Sequence, residues 1–153
     1  TPRPIIMPLS NPTSLAEACP DDLMEWTNGR ALIATGSPFA PVAHRGVSHH
    51  IAQANNALIF PGLGVGVAVC KATRVSDKMI EASARAVAAM AHDTTPGAAL
   101  LPSISQLREV SFAVAIAVAQ AAHQEGLARV ALDNPVQQVY DNMWRPTYAP
   151  IVV

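Results

Sequence analysis

PIIMPLSNPTSLAEACPDDLMEWTNGRALIATGSP, residues 4–38, holds the pattern that decides the fold: a short apolar run, a helix-forming stretch, and a second apolar run ending in a glycine turn. Ile5, Ile6, Met7 and Leu9 read as a strand covered on both faces, as strands of parallel sheets are. Ser10, Asn11, Pro12 and Thr13 make a turn. Ser14 and Glu17 have the spacing of a capping box, which predicts a helix running towards Trp26, kinked or split at Pro20. Asn28 and Gly29 supply the stop, and residues 31–34 give a second strand that ends at Thr35, Gly36, Ser37 and Pro38. A strand–helix–strand unit of this length builds a doubly wound parallel sheet, whose ligands sit beyond the carboxyl ends of the strands. Asn11 and the Gly36–Ser37 turn therefore fall on the edge where a ligand is expected.

Outward from this unit, residues 39–54 have the composition of a loop, followed by Asn55, Asn56 and the glycine-rich LIFPGLGVGVAVCKA. The remainder is expected to be helical. Ser76 or Asp77 opens a helix with Met79, Ser83, Val87 and Met90 on one face and Lys78, Glu81 and Arg85 elsewhere. Pro102, Ser103 and Gln106 cap a longer helix with Leu107, Val110, Val114 and Val118 as its apolar stripe, stopped by Gly126. Asn134 and Pro135 open a last helix to about Trp144. The fold class is thus α/β: a doubly wound parallel sheet over residues 1–66, followed by a helical segment over 67–153, together one compact unit.

A chain of 153 residues suits one domain and is short for a two-domain dehydrogenase. With 50% hydrophobic and only 14% charged residues it is no disordered chain, and it carries apolar surface that something must cover. A net charge of −1 with no Lys/Arg cluster argues against nucleic acid and anionic membranes as partners. Residues 112–119, the most apolar run, are far shorter than the ~20 residues of a membrane span. Cys19 and Cys70 read as buried thiols of a reducing compartment, so a cytoplasmic location is expected. Thr1 leads almost directly into a core strand, the mark of a piece cut from a longer chain.

Gly62, Gly64 and Gly66 suggest a dinucleotide fingerprint, but the third small residue would fall on Val67 or Val69. Close approach of a helix to its neighbour explains these glycines better. His44, His49 and His50 have no carboxylate or cysteine beside them, and a solvated loop accounts for them better than a metal site. Ser37 lacks the surroundings of a nucleophile. Asn11, Asn55 and Asn56 each offer a donor and an acceptor without charge, which suits a carboxylate or a carboxamide, although asparagines also serve turns and caps.

Three segments then carry a resemblance: RPIIMPLSNPTS at 3–14, ALIATGSPFAPV at 31–42 and QANNALIFPGLGVGV at 53–67. They resemble malic enzymes, and the likeness continues through RVSDKMIEASARAVAAMA at 74–91 and LPSISQLREVSFAVAIAVAQAAHQEGLA at 101–128. DNMWRPTYAP at 141–150 looks most like the bacterial NAD-linked branch. The resemblance implies oxidative decarboxylation of malate to pyruvate and carbon dioxide with NAD, NADP being left open, and with Mg2+ or Mn2+ in the full enzyme. It implies that Asn11, Asn55 and Asn56 bind substrate, that Asn11 and Asn55 also meet the cofactor, and that Gly36 and Ser37 shape the cofactor-binding edge.

It further implies that the sheet over residues 1–66 is the closing, C-terminal half of a Rossmann-like doubly wound parallel sheet, and that the catalytic tyrosine and lysine, the metal ligands and the first phosphate-binding glycine loop lie in sequence preceding Thr1. Tyr140, Tyr148, Lys71 and Lys78 do not stand in the contexts of that pair. The partners expected are malate, the nicotinamide dinucleotide and the rest of a malic enzyme chain, itself a homo-oligomer. Two functional classes follow. One is a fragment of an NAD-linked enzyme, inactive alone and exposing an apolar sheet edge. The other is a stand-alone nucleotide- or protein-binding module derived from the same domain.

Overall fold

The computed structural model describes residues 1–146. Strand β1 (Ile5–Ile6) leads to helix α1 (Pro20–Trp26) and back to strand β2 (Leu32–Thr35). The two strands pair in parallel, Ile5 with Leu32 and Ile6 with Ile33, as the decisive stretch predicts. Helix α1 ends where Asn28 and Gly29 both take positive φ, the conformation these residues adopt most readily.

The start of α1 differs from expectation. Ser14 lies in a short 3-10 turn, Thr13–Leu15, that has no side-chain cap. The Glu17 carboxylate turns back to the Ser10 hydroxyl at 2.8 Å and the Ser10 amide at 3.2 Å instead. The helix begins at Pro20, whose fixed φ and missing N–H suit the first helical position and no later one. Strand β1 also departs from the doubly covered pattern. Among the described residues it pairs with β2 alone, and Ile5 in the strand and Met7 and Leu9 just beyond it are 60%, 45% and 50% exposed.

Residues 39–54 are more ordered than their composition suggests. Strands β3 (Val42–His44) and β4 (Val47–His49) form an antiparallel hairpin, and β5 (Ala52–Gln53) joins the sheet in parallel with β2. The hairpin turns on Arg45 and Gly46, at φ 50° and 81°. Both central residues of such a two-residue turn need positive φ, which arginine rarely adopts, so the turn was hard to recognise. The three-stranded sheet has the order β1–β2–β5. Leu23, Met24, Ala31, Ile33 and Val42 fill the space between α1, the sheet and the hairpin.

The helical part follows its caps. Helix α2 spans Phe60–Cys70, α3 Asp77–Ala89, α4 Leu107–Gln124 and α5 Pro135–Asn142. Ser76 caps α3, Ser103 and Gln106 complete a capping box ahead of α4, and Asn134 caps α5. Val110, Val114 and Val118 of α4 are wholly buried together with Met79 of α3. Full burial of a side chain of this size stabilises by roughly 1.5–3 kcal/mol. Gly62 and Gly66 let α2 lie against α4: a Cβ on Gly62 would stand 2.6 Å from the Ser111 carbonyl oxygen, and one on Gly66 2.7 Å from that of Ala115. Gly64, between them, faces open space. Cys70 is buried in this core, whereas Cys19 is exposed, contrary to the expectation of two buried thiols. Cys19 is the residue before Pro20, on the outer side of the α1 entrance. No described helix is long and apolar enough to cross a membrane.

Candidate functional site

Because β1, β2 and β5 run in parallel, the turns that follow them leave from one edge of the sheet. Asn11 follows β1, Gly36 and Ser37 follow β2, and Asn55 and Asn56 follow β5. The last of these turns closes into a 3-10 turn, Asn56–Leu58, that leads into the amino end of α2.

The β1 and β2 turns are locked together. The Gly36 amide donates to the Pro8 carbonyl at 3.0 Å, and the Ser37 hydroxyl donates to Oδ1 of Asn11 at 2.5 Å. Gly36 is required by this approach: a Cβ there would overlap the Leu9 carbonyl and reach within 3.2 Å of Asn11 Nδ2. The β5 side is tied in by Gln53, whose Nε2 donates to the Gly36 carbonyl at 3.2 Å, and by the Ala54 amide, which donates to the Thr35 carbonyl at 2.8 Å. The Thr35 hydroxyl is buried and donates to the Ser37 carbonyl at 2.8 Å. Nothing in the sequence marks Gln53 for this role, since it depends on β5 being a strand, whereas the Thr35 hydroxyl bonds within its own turn.

Asn11, Asn55 and Asn56 all present exposed side chains on this edge. Asn55 Oδ1 accepts from the Ala57 amide at 2.9 Å, capping the 3-10 turn, so its amide nitrogen is the end left outward. Asn56 makes no side-chain hydrogen bond among the described residues. The three asparagines therefore offer neutral amides on this edge, able to bind a carboxylate or carboxamide without a charge of their own.

The histidines are arranged differently from a solvated loop. His44 and His49 lie edge to face on the hairpin with ring centroids 6.5 Å apart, and His44 Nε2 is buried with no partner among the described residues, packed under Gly29. Burial, and secondarily the neighbouring His44, holds the His49 imidazole below its usual pKa. Among the described residues no group of three or more His, Cys, Asp or Glu side chains is placed to hold a metal ion. A cavity of about 610 Å³ opens beside the edge, with Pro38, Phe39 and Gln53 on one wall and Met90, His92 and Ser103 on the other, but none of the three asparagines lines it.

The family described as "Malic enzyme, NAD binding domain" matches residues 1–123. Among curated relatives, NAD-dependent malic enzyme 3 of Bacillus subtilis is 55% identical over 149 residues, covering 97% of this chain and 26% of the relative. NAD-dependent malic enzyme of Aliivibrio fischeri is 49% identical over 148 residues, covering 95% and 26%. The crystal structure of Entamoeba histolytica malic enzyme superposes with a TM-score of 0.72 at 30% identity, over 91% of this chain and 26% of that one. The malic enzyme of Pyrococcus horikoshii gives 0.69 at 30% identity, over 90% and 28%. The chain thus spans about a quarter of the length of these relatives. With the parallel sheet, the asparagine-bearing edge and these matches in agreement, the chain belongs to the malic enzyme family and represents part of its NAD-binding domain.

Proposed function

We propose that this chain is the carboxy-terminal part of a malic enzyme that oxidises and decarboxylates malate to pyruvate and carbon dioxide with reduction of NAD, and that it contributes binding rather than proton transfer. The observation that carries this reading is the convergence of Asn11, Asn55 and Asn56 on one carboxyl edge, with Asn11 locked to Ser37. Neutral amides there fit a malate carboxylate and a nicotinamide carboxamide, groups that need oriented hydrogen bonds. Bound NAD supplies the hydride acceptor; Asn11 and Asn55 would hold its nicotinamide end, and Asn11, Asn55 and Asn56 would hold malate. Gly36 and Ser37 keep the β1 and β2 turns close enough to share one ligand.

The described residues do not fit the Mg2+ or Mn2+ implied by the resemblance, since no group of three or more His, Cys, Asp or Glu side chains among them is placed to hold an ion. Tyr140 belongs to α5, which packs on α4 and α2, and its ring lies under Arg145 at 4.4 Å. Tyr148 lies outside the described residues. The catalytic tyrosine and lysine and the metal ligands are accordingly assigned to the rest of the enzyme. The exposed apolar strand β1 supports the same assignment, since it offers a free edge for further sheet. The parent enzyme is expected to be a homo-oligomer.

The test compares the full-length enzyme carrying this segment with the isolated chain, following pyruvate and NADH formation from malate. The full-length enzyme is expected to turn malate over and the isolated chain to give none. Turnover by the isolated chain would overturn the division of labour, and a full-length protein inert towards malate would overturn the function.

A further inference from the structure

We propose that Ser37 is a positioning residue that fixes which end of the Asn11 amide faces the ligand, so that Asn11 acts as a hydrogen-bond donor. This rests on the reading of Asn11 as a ligand contact. Ser37 is only 5% exposed, and its hydroxyl donates to Asn11 Oδ1. The turn that carries Ser37 is held at several points: the Gly36 amide by Pro8, the Gly36 carbonyl by Gln53, and the Ser37 carbonyl by the Thr35 hydroxyl. The hydroxyl therefore approaches Asn11 from a fixed direction.

The other end of the amide lies 3.5 Å from the Leu9 carbonyl, an acceptor at the limit of hydrogen-bonding range. Turning the amide end for end would set Oδ1 against that carbonyl, two acceptors facing each other, and the Ser37 hydroxyl could then only accept from Nδ2, its own buried proton left with no acceptor among the described residues. Both contacts thus select one orientation, with Oδ1 inward and Nδ2 outward. Nδ2 carries two hydrogens, and at most one is occupied by Leu9. The outward end of Asn11 is then a donor, and the group it meets there is an acceptor oxygen: a carboxylate oxygen of malate or the carbonyl oxygen of the nicotinamide carboxamide.

A double-mutant cycle in the full-length enzyme tests this, with Ser37→Ala, Asn11→Ala and the double variant, each measured for kcat and for the KM of malate and of NAD. Ser37→Ala is expected to lower kcat/KM roughly threefold to tenfold, the worth of one oriented hydrogen bond. Asn11→Ala should lose at least as much, and Ser37→Ala should cost nothing further on the Asn11→Ala background. The ligand whose KM rises identifies the acceptor oxygen. An equal cost of Ser37→Ala on both backgrounds would make Ser37 merely structural and overturn the proposal, as would wild-type kinetics for Ser37→Ala. Wild-type kinetics for Asn11→Ala would instead overturn the assignment of Asn11 to the site.

Discussion

Gly62 of α2 lies so close to α4 that a Cβ placed on it would stand 2.6 Å from the carbonyl oxygen of Ser111 and 2.6 Å from Cβ of Val114. The glycine repeat is thus a packing device that brings two helix backbones together. Gly62→Ala and Gly66→Ala are each expected to destabilise by about 1–3 kcal/mol through overpacking. Gly64→Ala, which meets nothing within 4 Å, should stabilise by up to about 1 kcal/mol from helix propensity alone. Denaturant unfolding of the three variants checks the alternation; equal effects at all three positions would refute it.

Gly36→Ala should act on the sheet and on the site together. The new methyl would meet the Leu9 carbonyl and push β1 away from β2. The Gly36 amide, which donates to Pro8, reports this directly. Its hydrogen exchange should accelerate markedly, and the full-length enzyme should lose activity although no side chain bearing a hydrogen-bonding group has been replaced.

His49 makes stability depend on pH. Burial, then His44, lowers its pKa below the ordinary 6.5, so on acidification the unfolded chain takes up the proton before the folded one. Stability contributed by neutral His49 is therefore full above about pH 6.5, falls as pH drops through that value, and levels off once the folded imidazole is also charged. Denaturation midpoints at about pH 8 and about pH 5.5 should differ more in the native chain than in His49→Gln. An unchanged difference would contradict this account.

Ser76 serves two partners, accepting from the Met79 amide at 3.3 Å and donating to the Glu125 carboxylate. Ser76→Ala should cost about 0.5–2 kcal/mol as a lost helix cap. Ser76→Asp, ordinarily an equally good cap, should fail to restore stability because its carboxylate would face that of Glu125. Thermal unfolding of the two variants distinguishes this from simple capping, in which Asp would rescue.

The helical half was legible because its signals are local. Ser76, Ser103 with Gln106, and Asn134 open helices where the sequence places them, and Met79, Ser83 and Val87 are the buried face of α3. The β1–α1–β2 unit was legible for the same reason. What escaped depends on contacts distant in sequence. The Arg45–Gly46 hairpin uses an arginine at positive φ, and β5 is two residues long and exists through its pairing with β2. Glu17 had the spacing for a cap but found Ser10, while Pro20 set the start of the helix. At the site, the carboxyl-edge placement of Asn11 and Ser37 follows from the strand–helix–strand pattern, whereas that of Asn55 and Asn56 does not, because it depends on β5. The bond from Ser37 to Asn11 does not, because it spans 26 positions and needs the parallel register of β1 on β2.

Asn56 is the cleanest probe of the edge as a binding site, since its exposed side chain makes no hydrogen bond among the described residues and its removal should leave the fold untouched. The decisive measurement is kcat/KM for malate in the full-length enzyme carrying Asn56→Ala, alongside its thermal unfolding. The account predicts a loss of about tenfold or more at an unchanged unfolding temperature, the effect of removing one hydrogen bond to a charged group. Turnover of malate at the wild-type kcat/KM would contradict it.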